Sequence, residues 1–237
     1  MSSHAILDSA THADLRIHTD ASRELGDAIM SCPVMPNEFR QVQAHYPILF
    51  RLDTERQSFT AHALFGFDTG ENLFLDEGDW DARYRPLAMA VQPFLIGRSP
   101  EGEAAQVHID MAHPRVSYGD GVRVFDEDRQ PTPYLERTSE LLGALDEGYR
   151  ASGAFFQALQ RYELLEPFSL EVELGDGSKN RLVGFHVIDE DRLRALDAAT
   201  LKELHAQDHL LPIFMALASL AQIGALVDRK NQRIDHG

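Results

Sequence analysis

Residues 210–227 read LLPIFMALASLAQIGALV, eighteen positions without a charge. A run of that length lies near the lower limit for a membrane span, so the chain either crosses a bilayer there or buries the run against itself. Pro212, Ser219, Gln222 and Gly224 interrupt its apolar character, alanine dilutes its hydropathy, and Asp208 stands two residues before its start. These features suit a packed core helix, and no membrane insertion is expected. Such a helix needs a core to pack on, and 237 residues with 43% hydrophobic side chains can supply it. Disordered and collagen-like structures are excluded on the same ground.

The charge is lopsided. Lys and Arg number 22 against 38 Asp and Glu, a formal net charge of −16. Phosphate backbones and anionic lipid are repelled by that balance, and no local basic cluster offsets it, so no nucleic-acid partner is expected. Cys32 is the one cysteine, which rules out an internal disulfide framework and a multi-thiolate metal site. The first residues, MSSHAILDSATHADLRIH, carry no basic segment followed by a long apolar run. A cytoplasmic protein is the expectation.

No repeat or low-complexity stretch divides the chain, so the expected organisation is a single domain over 1–237 with mobile ends at 1–13 and 230–237. YPILF at 46–50 has the compact apolar character of a buried strand, and SFTAHALFGF at 58–67 suggests its partner across a turn at 53–57. Residues 72–75 and 105–110 are two further strand candidates. The period then changes. From 132 to 162, Leu135, Leu142, Leu145, Tyr149, Phe156 and Leu159 recur at helical spacings, with Thr132 or Pro133 to start the helix. FSLEVEL at 168–174 alternates, Gly175, Asp176 and Gly177 make a turn, and LVGFHVI at 182–188 returns as the second arm of a hairpin. Helices at 190–196 and 198–206 lead into the apolar C-terminal helix. The fold class is therefore α+β: antiparallel strands in the N-terminal half and a central hairpin, packed with several helices.

An ordered set of short stretches carries a family resemblance. It comprises Glu38-Phe39, HYPILF at 45–50, ALFGF at 63–67, ENLFL at 71–75, Trp80 to Pro86 and PFLIG at 93–97. It continues with FDED at 125–128, LLEP at 164–167, Asp176-Gly177 ahead of LVGFHVIDEDRL, and the terminal helix with Ser219. Together these resemble the SapC-like family of bacterial proteins, over roughly residues 14–230. The resemblance implies an association with surface-layer export. It also implies gene neighbourhoods that hold TonB-dependent receptors, flavin-dependent halogenase-like proteins and cupin or JmjC-like oxygenases. It supplies no catalytic residue. Two positions depart from the family pattern. Ala90, Val91 and Gln92 stand where an Arg-Arg-aromatic group is usual, with Arg85 in a hydrophobic slot, and Phe214 and Ala216 replace a Tyr-x-His.

Three groups of residues bear on chemistry. His108 and Asp110, two apart on a strand, would share a face and could supply two ligands of a facial iron(II) site. His186 or His205 would complete that site, and Arg192 or Arg194 would hold a cosubstrate carboxylate. Chance pairing on a surface strand explains the same motif, since the chain holds 11 histidines and 38 acids. Cys32 reads as a buried thiol, His113 before Pro114 as a turn residue, and the acidic runs at 76–81 and 126–128 as solvated turns. There is no GxSxG elbow, P-loop or GxGxxG after a strand. The remaining group is Trp80 with Tyr84 and Arg85, a composition enriched where proteins grip other proteins. Against it stands the reading of Trp80 as a lid on the core.

The sequence-based expectation is a non-catalytic accessory that binds a peptide or protein segment through Trp80, Tyr84 and Arg85, associated with peptide modification or TonB-dependent uptake. It is expected to use no cofactor and no metal. An HxD iron oxygenase and an envelope-associated structural protein are the alternatives. The sequence sets no oligomeric state.

Overall fold

The computed structural model describes residues 3–97 and 106–236, and the strand expected to begin at Ala105 starts, among these, at Gln106. The architecture is α+β with antiparallel sheets. The described chain gathers into two compact units. The first takes the chain up to Ala28, Leu75–Asp81 and Leu87–Glu147; the second takes Ile29–Phe74, Ala82–Pro86 and the chain from Gly148 onward. The helix Pro133–Arg161 passes from one to the other.

In the first unit, Gln106–Asp110 is the middle strand of an antiparallel sheet between His4–Ile6 and Phe94–Gly97. A second small sheet pairs Arg16–Ile17 with Val116–Ser117 and Val122–Arg123. The core joins Leu15, Ile17, Phe94, Ile109, Val124 and Leu135. Alternation puts Ile109 inward while its neighbours His108 and Asp110 stay part-exposed. Arg115 is buried here as well. Its guanidinium donates to the carbonyls of His18 and Asp20, each at 2.8 Å, and to the Asp27 carboxylate.

The second unit is built on a five-stranded antiparallel sheet in the order Leu165–Glu173, Lys179–Ile188, Ile48–Asp53, Ser58–Leu64, Ser31–Val34. Ile48, Leu49 and Phe50 are all buried, which is why the central strand reads as an unbroken apolar run and not as an alternation. Small residues opposite make room for it: Ala63 faces Ile48 and Ala61 faces Phe50. The Phe50 ring meets Phe156 of the long helix edge-on at 6.5 Å. In the hairpin Leu165–Glu173 with Lys179–Ile188, Val172 points inward while Glu171 and Glu173 point out towards Lys179. A bulge between Phe168 and Leu170 shifts the register opposite Gly184, whose φ of +82° suits glycine.

One expectation is corrected, and two further observations concern the ends of the chain. Residues 72–74 form a turn and not a strand, because Asn72 is buried with its side-chain oxygen accepting the Phe74 N–H; of the expected strand only Leu75 is extended, pairing on into Asp76. The ends are ordered where described. His4–Ile6 is held as a sheet edge, and near the other end Lys230 is bound to Asp68 and Glu71 while Asn231 accepts the Gly175 N–H. Met1, Ser2 and Gly237 lie outside the described residues. The apolar C-terminal run forms two helices, Leu210–Ser219 and Gln222–His236. Leu220 and Ala221 donate to the carbonyls of Leu217 and Ala218, and these tighter bonds close the first helix. Counted through that turn, Leu210–Asp235 is long and apolar enough by length and composition to cross a membrane, with 33% of its apolar window buried.

Candidate functional site

Trp80 ends a two-stranded ribbon in which Leu75–Asp76 pairs with Asp79–Trp80. Glu77 and Gly78 turn that ribbon, both at positive φ, which is the geometry of a tight hairpin turn. The acidic run is thus a solvated turn, and Trp80 at its base is half-buried. Residues 81–86 are irregular, so Trp80, Tyr84 and Arg85 do not share a helical face.

Tyr84 and Arg85 belong to a polar cluster of the second unit. The Tyr84 hydroxyl donates to Glu38 Oε2 at 2.8 Å, and the Tyr84 carbonyl accepts the hydroxyl of the buried Tyr46. Glu38, 3% exposed, also accepts the Met35 N–H through its other oxygen. Burial, reinforced by the Glu38 carboxylate, pushes the Tyr84 phenol well above its ordinary pKa. Cys32 is buried as expected, and burial together with Glu38 pushes its thiol up, with Arg85 opposing. Tyr84 therefore spends its polar atoms on the interior. Glu38 and Tyr46 are the partners that sequence reading missed, because they lie 46 and 38 residues from Tyr84.

His108 and Asp110 do lie on one strand, with Gln106–Asp110 between two neighbours. Asp110 uses Oδ1 to accept the N–H groups of Ser3 and Ala112, and those bonds, Ser3 first, hold its carboxyl below the usual range. The His108 ring lies over Gly97, where an added Cβ would come within 2.1 Å of Nε2. Gly97 is thus the residue that lets the imidazole lie flat on the neighbouring strand. His186 belongs to the second unit, its ring 4.9 Å from Phe59 and its pKa lowered by burial. Arg192 pairs with Glu163 at 2.8 Å, and Arg194 with Glu190 and Asp191. Among the described residues, no three His, Cys, Asp or Glu side chains are grouped to hold a metal ion.

A cleft of about 380 Å³ lies in the second unit, between the long helix and the hairpin of Ile48–Asp53 with Ser58–Leu64. The helix contributes Tyr149, Ser152, Gly153, Phe156, Gln157 and Gln160, which recur at three- and four-residue intervals and so face one way. The hairpin contributes Phe59 with Ser58 and Thr60, and Asp53 and Arg56 from its turn. That turn is fixed by Asp53, whose Oδ1 accepts the N–H groups of Glu55 and Arg56, both at 3.0 Å. Gln160 ties the far end, donating to the Gln57 carbonyl at 3.0 Å. Open space surrounds the Gly153 Cα, and Ser152 turns its hydroxyl back onto the Tyr149 carbonyl. Tyr149 corrects the helix reading. Its spacing placed it with the core residues, yet it is 62% exposed while Phe156 beneath is buried. Exposed Gly153 is the sequence signal that this stretch of the helix is uncovered, whereas Gly148 on the other side of Tyr149 is buried against Asn37.

The chain matches the SapC family model over residues 7–226. Neither the curated proteins nor the solved structures contain a match to it.

Proposed function

The chain belongs to the SapC family, and from that premise we propose that it is a non-catalytic accessory whose ligand is a peptide or protein segment. One observation carries the reading: the cleft beside Tyr149 combines aromatic and amide groups along one helix face with hydroxyl and guanidinium groups of the facing hairpin. The exposed Tyr149 and the part-exposed Phe59 offer apolar area to a ligand's side chains, with buried Phe156 at the floor of the cleft. Ser58, Thr60 and Gln157 offer donors and acceptors of the kind that pair with peptide groups, and Arg56, 3.7 Å from Asp53, lines the same cleft with an exposed guanidinium that suits a carboxylate. Tyrosine is suited to this, since it covers a large area while losing little side-chain freedom. The ribbon bearing Trp80 remains a proposed contact as well, while Tyr84 serves as an interior support of the second unit through Glu38 and Tyr46. Service to peptide modification or TonB-dependent uptake belongs to the same proposal.

A phage-displayed library of random peptides, selected on the wild-type protein, tests it. The expected result is a recurrent peptide motif whose synthetic form binds wild type and loses roughly tenfold or more in affinity for Tyr149→Ala. Selection of no motif, or equal binding to Tyr149→Ala, overturns the reading.

A further inference from the structure

The helix Leu210–Ser219 buries only one side. Pro212, Ile213, Met215, Ala216 and Ser219 face inward, whereas Leu211 and Phe214 are each 53% exposed. Ala218 and Ala221 continue the exposed stripe towards the C-terminus without a charge. Beside the stripe lies a second recess of about 350 Å³, lined by Leu193, Leu201, Phe214 and Leu217 and rimmed by Glu190 and Arg194. Three short helices, Glu190–Arg194, Ala198–Ala206 and Leu210–Ser219, thus frame an apolar groove in the second unit. A contiguous apolar surface of this kind marks an interaction site.

The charge around the groove indicates what fills it. Residues 189–208 hold six acids (Asp189, Glu190, Asp191, Asp197, Glu203, Asp208) against three bases (Arg192, Arg194, Lys202). Within this stretch Arg194 pairs with Glu190 and Asp191, while Arg192 pairs with Glu163 and Glu203 with Arg161 from outside it, so these outside partners cancel and the surplus of three acids stands. The Glu190–Arg194 pair on the rim is neutral, but the helices that frame the groove carry a surplus of acid, on a chain of net charge −16. A second copy would bring like charge to like, and an anionic lipid surface would do the same. A cationic segment with an apolar face satisfies both the groove and its rim.

We propose that this groove docks the apolar face of a basic amphipathic helix from a partner protein, with Phe214 as the anchor. The surface shares no residue with the Tyr149 cleft, so either reading can fail alone.

The probe is a fluorescein-labelled peptide of about 18 residues made only of Leu and Lys, with Leu at the i, i+3, i+4, i+7 positions of a helix. Its binding is followed by anisotropy at physiological salt, where long-range attraction between exposed charges is largely screened. The expected result is saturable binding to wild type, weakened roughly tenfold or more by Phe214→Gln and by Leu211→Gln, with Tyr118→Ala, an exposed tyrosine outside both recesses, unchanged. A scrambled peptide of the same composition, and one carrying Glu in place of Lys, should each bind roughly tenfold more weakly or worse. Equal binding of the scrambled peptide, or indifference to Phe214→Gln, overturns the proposal. So does a wild-type dimer in sedimentation equilibrium that Phe214→Gln dissociates, since a second copy would then fill the groove. Co-sedimentation of wild type, but not Phe214→Gln, with phosphatidylcholine vesicles overturns it in favour of a lipid surface.

Discussion

The hydroxyl of Ser219 accepts the backbone N–H of Ile48 at 2.8 Å while donating to the carbonyl of Ala216 at 2.6 Å. The two residues are 171 positions apart, and both groups are buried. One side chain thus fastens the penultimate helix to the first residue of the central strand and satisfies an N–H that the sheet does not pair.

Ser219→Ala tests that fastening. The substitution leaves the Ile48 N–H buried without its acceptor, and an unsatisfied buried donor costs about 1–3 kcal/mol. Urea unfolding should show a lower midpoint with an unchanged slope. An unaltered midpoint would show that the bond contributes nothing net.

Arg115 and Asp27 form the corresponding fixture of the first unit, with side chains 2% and 0% exposed and 2.5 Å between Nη2 and the carboxylate. Removing one partner strands a buried charge, so Arg115→Met should destabilise by about 3–5 kcal/mol. The double substitution Arg115→Met with Asp27→Leu should recover a large part of that loss, since it removes both charges. Melting temperatures of the three proteins decide it; a double variant no more stable than the single one would refute the account.

The contrast between these two fixtures explains what could be read from the sequence. The long helix is legible because its apolar residues repeat at helical spacing over 29 positions. The Leu165–Glu173 and Lys179–Ile188 hairpin is legible because Val172 alternates with Glu171 and Glu173 before a Gly-Asp-Gly turn. Both depend on near neighbours. Arg115–Asp27, Ser219–Ile48 and Tyr84–Glu38 join residues 88, 171 and 46 positions apart, and no local pattern announces them. The Tyr149 cleft escaped notice for a related reason. Helical spacing says which residues share a face, but it does not say where along the helix that face is covered.

Tyr84→Phe should be measured for stability. It deletes a donor to the buried Glu38 carboxylate and leaves ring packing intact, so a loss of about 1–3 kcal/mol is expected. If Tyr84 instead served a ligand directly, stability would be unchanged and binding of a selected peptide would fall.

His62 gives the second unit a pH dependence. Burial, aided by the Arg51 guanidinium, lowers its pKa from 6.5 to about 4. The folded protein therefore keeps His62 neutral over a range in which the unfolded chain protonates it. Between those two values the unfolded state binds the extra proton, so stability rises with pH through this window. The stabilising effect is complete above about pH 6.5 and is lost as the pH falls towards 4, a change on the order of 3 kcal/mol. His62→Gln keeps a polar side chain and removes the titration, so its stability should vary less over the same range. Urea unfolding at stepped pH compares the two proteins, and the imidazole carbon shifts of wild type locate the titration directly. A His62 midpoint near 6.5, or parallel stability curves for wild type and His62→Gln, would contradict the assignment.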